Sequence, residues 1–346
     1  MSNTGREQIL SHIPDNVKGN IDTLFKKVDA NKEFEYIFFS KGKERMNKEK
    51  YILLLKYIRT MEKHKKLKKV GPHKTLDINY SVSPEHTFRI TIEGGNEINR
   101  ILNRLNSVQN KNYIHYKFLL HSIRKDKNNK NISFMLKTKK DGDTVDIDDL
   151  NMRIRLSSED LLTDNIRDKK YKNIDENIVK LINGGNFDLN ERTELIKKIS
   201  FRLKERTSLF VEESKGHFIR IDLTDTKTVK DIKKIYNAVS NYELEIEYGA
   251  NDKKMVKSEH LNTIYKTAET MLKLVQQSSF IVGNTQTTKV IDYYKDMTGI
   301  TKEITKFVAR NSVSLEVQHA TEILPNRYGV TDKADGERYF MIVFNN

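Results

Sequence analysis

Two short segments alternate glutamate with bulky apolar residues. In one, Glu33 and Glu35 alternate with Phe34 and Tyr36. In the other, Glu243, Glu245 and Glu247 alternate with Tyr242, Leu244, Ile246 and Tyr248. Successive side chains of a strand point to opposite faces, so each glutamate set shares one side. Like charges two apart repel unless something binds between them. A hard divalent cation suits such oxygen ligands and needs no Cys or His. Other segments repeat the alternation mainly with the opposite sign. Arg89, Thr91 and Glu93 alternate with Phe88, Ile90 and Ile92, and Arg153, Arg155 and Ser157 with Met152, Ile154 and Leu156. Arg202, Lys204 and Arg206 alternate with Phe201 and Leu203, and Arg220, Asp222 and Thr224 with Ile219, Ile221 and Leu223. Aligned Arg and Lys suit a polyphosphate. One cavity holding both sets is a metal–phosphate site.

The elements that must position these residues are mostly strands. Those expected are Glu33–Phe39, Leu76–Val82, Thr87–Gly94, Ile114–Arg124, Ile132–Lys139, Met152–Ser157, Ile199–Phe210, Phe218–Thr224 and Tyr242–Tyr248. Helical spacing predicts helices over Asn16–Val28, Asn47–Leu67, Asn96–Val108 and Asp175–Asn183. The alternation admits two architectures. An open antiparallel sheet would wet its charged face, whereas a closed barrel would turn that face inward and pack helices outside. Clustering by sign, with carboxylates at both ends of the segment and cations between, favours the barrel. His115, His121 and His217 share no metal-ligand spacing and read as ordinary strand residues.

The chain has 346 residues and a net charge of +14, with 37% apolar and 32% charged residues. The 15 Tyr and 15 Phe are enough for real cores, which excludes a fully disordered chain. There is no Cys, hence no disulfide framework and no thiolate metal site. No apolar run approaches the roughly 20 residues of a membrane span, and the start lacks a signal-peptide core. A soluble, intracellular protein with a polyanionic partner is expected. Residues 41–74 carry 13 Lys and Arg against Glu44, Glu49 and Glu62. The basic helix in this stretch reads equally as a solvated face or as a contact surface for a phosphate backbone.

The segments EFEYIF at 33–38, RLKERTS at 202–208 and YELEIEYG at 242–249 resemble the triphosphate tunnel metalloenzymes. More narrowly, they are similar to the RNA 5′-triphosphatase domain of capping enzymes from large DNA viruses and fungi. The resemblance covers roughly residues 1–250. It implies an α+β fold: an antiparallel barrel, the triphosphate tunnel, with helices outside. It also implies hydrolysis of the γ-phosphate of triphosphate-ended RNA. Mg²⁺ or Mn²⁺ would be held by Glu33, Glu35, Glu245 and Glu247, and Glu243 or Glu245 would orient or deprotonate water. Arg89, Arg153, Arg155, Lys204 and Arg206 would neutralise phosphates. Arg202 reads as a phosphate contact or a structural cation at the mouth. Asp222 would hold one of the cations, and Lys117 and Lys137 are further candidates.

Residues 333–338, Lys-Ala-Asp-Gly-Glu-Arg, resemble the KxDGxR motif of capping guanylyltransferases and polynucleotide ligases. In that family the lysine amine attacks the α-phosphorus of a nucleoside triphosphate. The carry-over assigns Lys333 as nucleophile, with Asp335, Gly336 and Arg338 around the nucleotide. The later motifs of a nucleotidyltransferase do not follow, so residues 251–346 are expected to be the truncated, mainly helical start of such a domain. Helices are expected there over Lys253–Gln277, Val290–Met297 and Glu303–Asn311. GTP would be a ligand only of the complete parent, with transcription machinery or a methyltransferase as partners. A viral origin would place the protein in the cytoplasm of the infected cell or in the virion. Three other readings stand beside this one. They are a tunnel enzyme acting on inorganic triphosphate or a small nucleotide, a ligase-type adenylyltransferase fragment, and a non-catalytic RNA-binding module.

Overall fold

A computed structural model describes residues 4–39, 45–107, 130–140, 142–161, 188–304 and 342. Its nine strands are β1 (Lys32–Phe38), β2 (Lys69–Ser81), β3 (His86–Glu93), β4 (Ile132–Thr138), β5 (Thr144–Ile147), β6 (Met152–Leu161), β7 (Ile199–Glu213), β8 (His217–Val229) and β9 (Asn241–Ala250). Helices α1 (Thr4–Ser11), α2 (Asp15–Phe25), α3 (Lys48–Lys65), α4 (Gly95–Ser107), α5 (Leu189–Lys198), α6 (Ser258–Gln276) and α7 (Asn284–Thr298) interrupt and follow them. The sheet runs β1-β9-β8-β7-β2-β3-β4-β6-β5, and a further β1–β6 pairing brings it back on itself. Every pairing is antiparallel. Eight strands therefore close into a barrel, with β5 hung on β6 beside it. The closed alternative is the one adopted.

Closure follows from β6 changing partner along its length. Residues Met152–Arg155 pair with β5, whereas Ser158–Leu161 pair with β4, and the opposite edge pairs with β1 throughout Met152–Ser158. The apolar half of each alternation faces outward into two cores. One gathers Phe34, Tyr36, Ile154, Ile221, Leu244, Ile246 and Tyr248 under α1, α2, α3 and α6. The other gathers Leu76, Ile90, Leu136 and Phe201 with Ile98 and Ile101 of α4. Burying about ten aromatic and aliphatic side chains on one side of the strands contributes roughly 1.5–3 kcal/mol each, so the charged residues have only the lumen left.

Helix α3 begins at Asn47, whose side chain accepts the Lys50 N–H at 2.9 Å, and ends with Lys66 at φ 53°. Helices α1 and α5 and strand β5 were not expected from the sequence. The strand expected at 114–124 and the helix expected at 175–183 lie outside the described residues. The compact unit that holds the barrel extends to Val282, because Leu261, Ile264, Tyr265, Ala268, Met271 and Leu272 of α6 complete its outer core. Residues 283–346 form a second unit, in which α7 starts earlier than the expected Val290. Among the described residues, no helix is long and apolar enough to cross a membrane.

Candidate active site

The register of the barrel decides which charges meet. Glu35 sits opposite both Arg155 of β6 and Glu247 of β9, and Glu33 sits opposite Ser157. Across β9 and β8, Glu247 faces Arg220, Glu245 faces Asp222 and Glu243 faces Thr224. On β7, Arg206 sits opposite Thr224 and Ser208 opposite Asp222. The two glutamate strands are therefore immediate neighbours, with cationic strands continuing around the wall on either side. Glu35 and Glu247 are 5% and 4% exposed, although both are acidic.

The carboxylates are held by cations. The Arg155 guanidinium lies 2.6 Å from Glu35, and Lys137 of β4 is 3.6 Å from Glu35, 3.8 Å from Glu33 and 2.8 Å from Glu159. Arg89 is 2.8 Å from Glu159. Arg220 donates to Glu247 at 2.6 Å. Asp222, fully buried, accepts from Arg206 at 2.9 Å, from Arg220 at 3.1 Å and from the Ser208 hydroxyl at 2.6 Å. Arg206 also lies 3.5 Å from Glu245. Lys204 is paired at 2.6 Å with Asp77 of β2, which in turn accepts from Thr91 at 3.0 Å. Arg202 pairs with Glu243, and Arg153 with Asp146 of β5 at 2.8 Å.

This wall is electrostatically uneven. Burial, then the neighbouring Glu159, raises Glu33 to about 7, against the pull of Lys137. Burial, together with Glu33 and Asp222, raises Glu247 well above the carboxylate range despite Arg220. Burial and Glu35 raise Glu245. Burial alone would raise Glu35 and Glu159 too, but Lys137 with Arg155, and Lys137 with Arg89, outweigh it. Glu35 is held below its ordinary value and Glu159 at about 2. Burial lowers Lys204 in spite of Asp77. The charged forms of Glu33, Glu245 and Glu247 are thus penalised, first by burial and then by neighbouring carboxylates, beyond what the local cations offset, and a bound divalent cation would relieve that penalty. An all-oxygen donor set fits Mg²⁺ or Mn²⁺. On the opposite sign, Arg89 Nε and Ser157 Oγ are buried on the lumen face with no hydrogen-bond partner among the described residues. Such atoms suit an anionic oxygen.

The structure brings Glu33, Glu35, Glu243, Glu245, Glu247, Arg89, Arg155, Arg202, Lys204, Arg206 and Asp222 onto the wall of one barrel. Arg153 shares the face of Arg155, but its guanidinium is engaged by Asp146. Lys137, rated below the arginines in the sequence, touches three carboxylates. Lys117, Lys333, Asp335, Gly336 and Arg338 lie outside the described residues. The sequence placed Arg220 on the alternating face of its strand but gave it no role, and it missed Asp77 and Glu159. Glu159 stands two positions past Ser157 on the same face, a signal that was available, whereas Asp77 had none.

No protein-family model matches the chain. Over 150 residues, 43% of this chain, it is 30% identical to a probable mRNA-capping enzyme of Acanthamoeba polyphaga mimivirus, and the match spans 12% of that protein. Among solved structures it is similar to the RNA triphosphatase domain of a trifunctional mimivirus mRNA capping enzyme. That match has 18% identity and a TM-score of 0.52, covering 76% of this chain and 97% of that domain. A triclinic form of the mimivirus capping enzyme triphosphatase gives 19% identity and a TM-score of 0.50, with 73% and 96% covered. The chain is thus related in sequence to part of a viral mRNA-capping enzyme, and its closed eight-stranded barrel is the fold of that enzyme's triphosphatase domain.

Proposed function

We propose that this barrel removes the γ-phosphate from the triphosphate end of RNA, the first step of 5′ capping. One observation carries the reading: Glu35 and Glu247 are cross-strand neighbours inside a closed barrel whose remaining lumen positions are rich in Arg and Lys. The relationship to a capping enzyme supports RNA as substrate. Glu33, Glu35, Glu245 and Glu247 would hold Mg²⁺ or Mn²⁺, which when bound supplies charge compensation for the phosphoryl oxygens. Arg89, Arg155, Lys204 and Arg206 neutralise the triphosphate and stabilise the charge that shifts towards the leaving diphosphate. Arg220 and Asp222 position Arg206 and Glu247. Glu245, whose carboxyl is raised by burial and by Glu35, orients the attacking water beside the ion it helps to hold. Glu243, paired with Arg202 and 3.3 Å from the Thr226 hydroxyl, is a positioning residue for that strand.

Residues 251–346 we read as including the start of a nucleotidyltransferase domain, with Lys333 as its nucleophile. GTP and partner proteins of the capping machinery belong to the complete parent enzyme. A viral capping enzyme would work in the cytoplasm of the infected cell. The experiment is release of labelled γ-phosphate from triphosphate-ended RNA with Mg²⁺, Mn²⁺ or chelator, for the parent, Glu35→Ala and Glu245→Ala. Metal-dependent release lost in both variants is the expected result. Release from tripolyphosphate but not from RNA would move the substrate to small polyphosphates. No release with any metal would refute the enzymatic reading and leave a binding module.

A further inference from the structure

On the outside of the barrel, three side chains from separate elements converge. Glu212 is near the end of β7, His217 begins β8, and His260 lies in the first turn of α6. Glu212 Oε1 is 2.7 Å from His217 Nε2 and 3.9 Å from His260 Nε2, and the two imidazoles stack with centroids 4.0 Å apart. All three ligand atoms lie within 4.8 Å of one another. Among the described residues this is the one group of His, Asp and Glu gathered so closely, and it is separate from the lumen.

The convergence is built by a bulge. Strict alternation along β7 would send Glu212 into the lumen with Arg206 and Ser208. The register of β7 on β8 slips between Phe210 and Glu212, so that Glu212 sits opposite Ile219, an outward core residue. A bulge re-aims one side chain without ending the strand. The second nitrogen of each imidazole is also engaged. Ser214 Oγ lies 2.9 Å from His217 Nδ1, and the Tyr248 hydroxyl lies 3.0 Å from His260 Nδ1 and 3.4 Å from the Met255 carbonyl. In the tautomer with hydrogen on Nδ1, each ring donates to its hydroxyl, and Tyr248 passes its own proton towards Met255. That arrangement frees both Nε2 lone pairs towards Glu212 and is the outer shell that orients metal-binding histidines. The competing contact is the Lys257 N–H, 3.4 Å from His260 Nδ1, as long and as weak as the Tyr248–Met255 contact, so the 3.0 Å approach of Tyr248 is what holds the ring.

We propose that Glu212, His217 and His260 form a second metal site, selective for Zn²⁺ and similar borderline-soft divalent ions, with water as the fourth ligand. Tetrahedral zinc with bonds of about 2.0–2.2 Å needs ligand atoms roughly 3.3 Å apart; Glu212 stands 2.7 and 3.9 Å from the two nitrogens, all three atoms lie within 4.8 Å, and one imidazole would turn out of the 27° stack to aim its in-plane lone pair at the ion. Imidazole donors favour such ions over Mg²⁺, whereas the all-carboxylate lumen has the reverse preference. The site staples the β7–β8 hairpin to the start of α6.

The test uses the full chain stripped with chelator and returned to excess Mg²⁺. Co²⁺ is then titrated into the parent, His217→Gln and Glu212→Gln, with melting followed in parallel. The parent should take up one Co²⁺ equivalent with the visible absorption of four-coordinate cobalt, and Zn²⁺ should displace it. The variants should bind at least 100-fold more weakly. Melting of the parent should rise by roughly 4–5 °C at 100 times Kd in Zn²⁺, and that of the variants should not. Mg²⁺-dependent phosphate release should be unchanged in the variants, which keeps this result independent of the lumen reading. Equal cobalt uptake and equal melting in parent and variants, all melting alike without metal, would overturn the site and leave a hydrogen-bonded His–Glu cluster.

Discussion

Asp222 is the sharpest place to test the lumen's organisation. It is fully buried and holds Arg206, Arg220 and Ser208 at 2.9, 3.1 and 2.6 Å. Asp222→Asn keeps the volume and one acceptor oxygen but removes the charge. Arg206 and Arg220, whose guanidiniums converge on one carboxylate oxygen, then repel without compensation. Breaking a buried pair by removing one partner costs about 3–5 kcal/mol. Both arginine side chains retain some solvent contact, at 29% and 24%, which argues for the low end, about 3 kcal/mol. With an m-value near 3 kcal/mol/M in urea, the midpoint should fall by about 1 M. The protein has 15 Tyr and no Trp, so tyrosine fluorescence and circular dichroism are the probes. Phosphate release should fall at least tenfold under conditions where the variant is still folded, because Arg206 loses its fixed position. A midpoint within about 0.3 M of the parent, with full activity, would refute the claim that this carboxylate organises the arginines.

Three further outcomes are expected. Glu33 is raised to about 7 from an unfolded value near 4.5, so the folded chain holds its proton more tightly. Its contribution to stability is complete below pH 4.5 and is lost as pH rises through 7. The metal-free protein should therefore lose stability across that window and Mn²⁺ affinity should climb across it, with both slopes flattened in Glu33→Gln. Melts run with chelator that show stability rising over that range, with no change in Glu33→Gln, would contradict this. Gly71 has φ +101°, and a Cβ there would stand 2.5 Å from the Arg206 carbonyl oxygen. Gly71→Ala should cost roughly 1–3 kcal/mol in a urea melt, and a neutral result would show that β2 is free to relax where its register on β7 shifts between Val70 and His73. Lys63, Lys65 and Lys66 are exposed at the end of α3. If they meet the RNA backbone, replacing all three with Gln should lower the salt slope of RNA binding by about 2 and leave tripolyphosphate cleavage unchanged. An unaltered slope assigns α3 to the solvated reading.

The period-two charge pattern was legible because a barrel lumen and a wet sheet face impose the same alternation on each strand. What alternation cannot carry is pairing. That Glu35 lies against Glu247, or Lys204 against Asp77, depends on registers between strands far apart in the chain. The expected end of β6 at Ser157 hid Glu159, although the same face continues to it. Ile37 breaks the glutamate alternation of β1, so its position opposite Glu245 was not anticipated. Glu212 was unreadable for another reason: a one-residue bulge reverses its side, and its partner His260 comes from a helix after the last strand.

The strand that closes the barrel has a consequence for synthesis. β1 emerges first, yet its two neighbours are β6 and β9, and β9 emerges last of the described strands. Throughout translation Glu33 and Glu35 lack Glu245 and Glu247, and the apolar face of β1 has no complete core. Long-range pairing of this kind is the slow part of folding. The glutamate wall and the final ring of hydrogen bonds therefore arise in one event. A chain truncated before β9 would be an open sheet with two bare edges rather than a weakened enzyme. Phosphate release during synthesis should switch on only when residues beyond Ala250 have cleared the ribosome, making catalysis itself a reporter of ring closure.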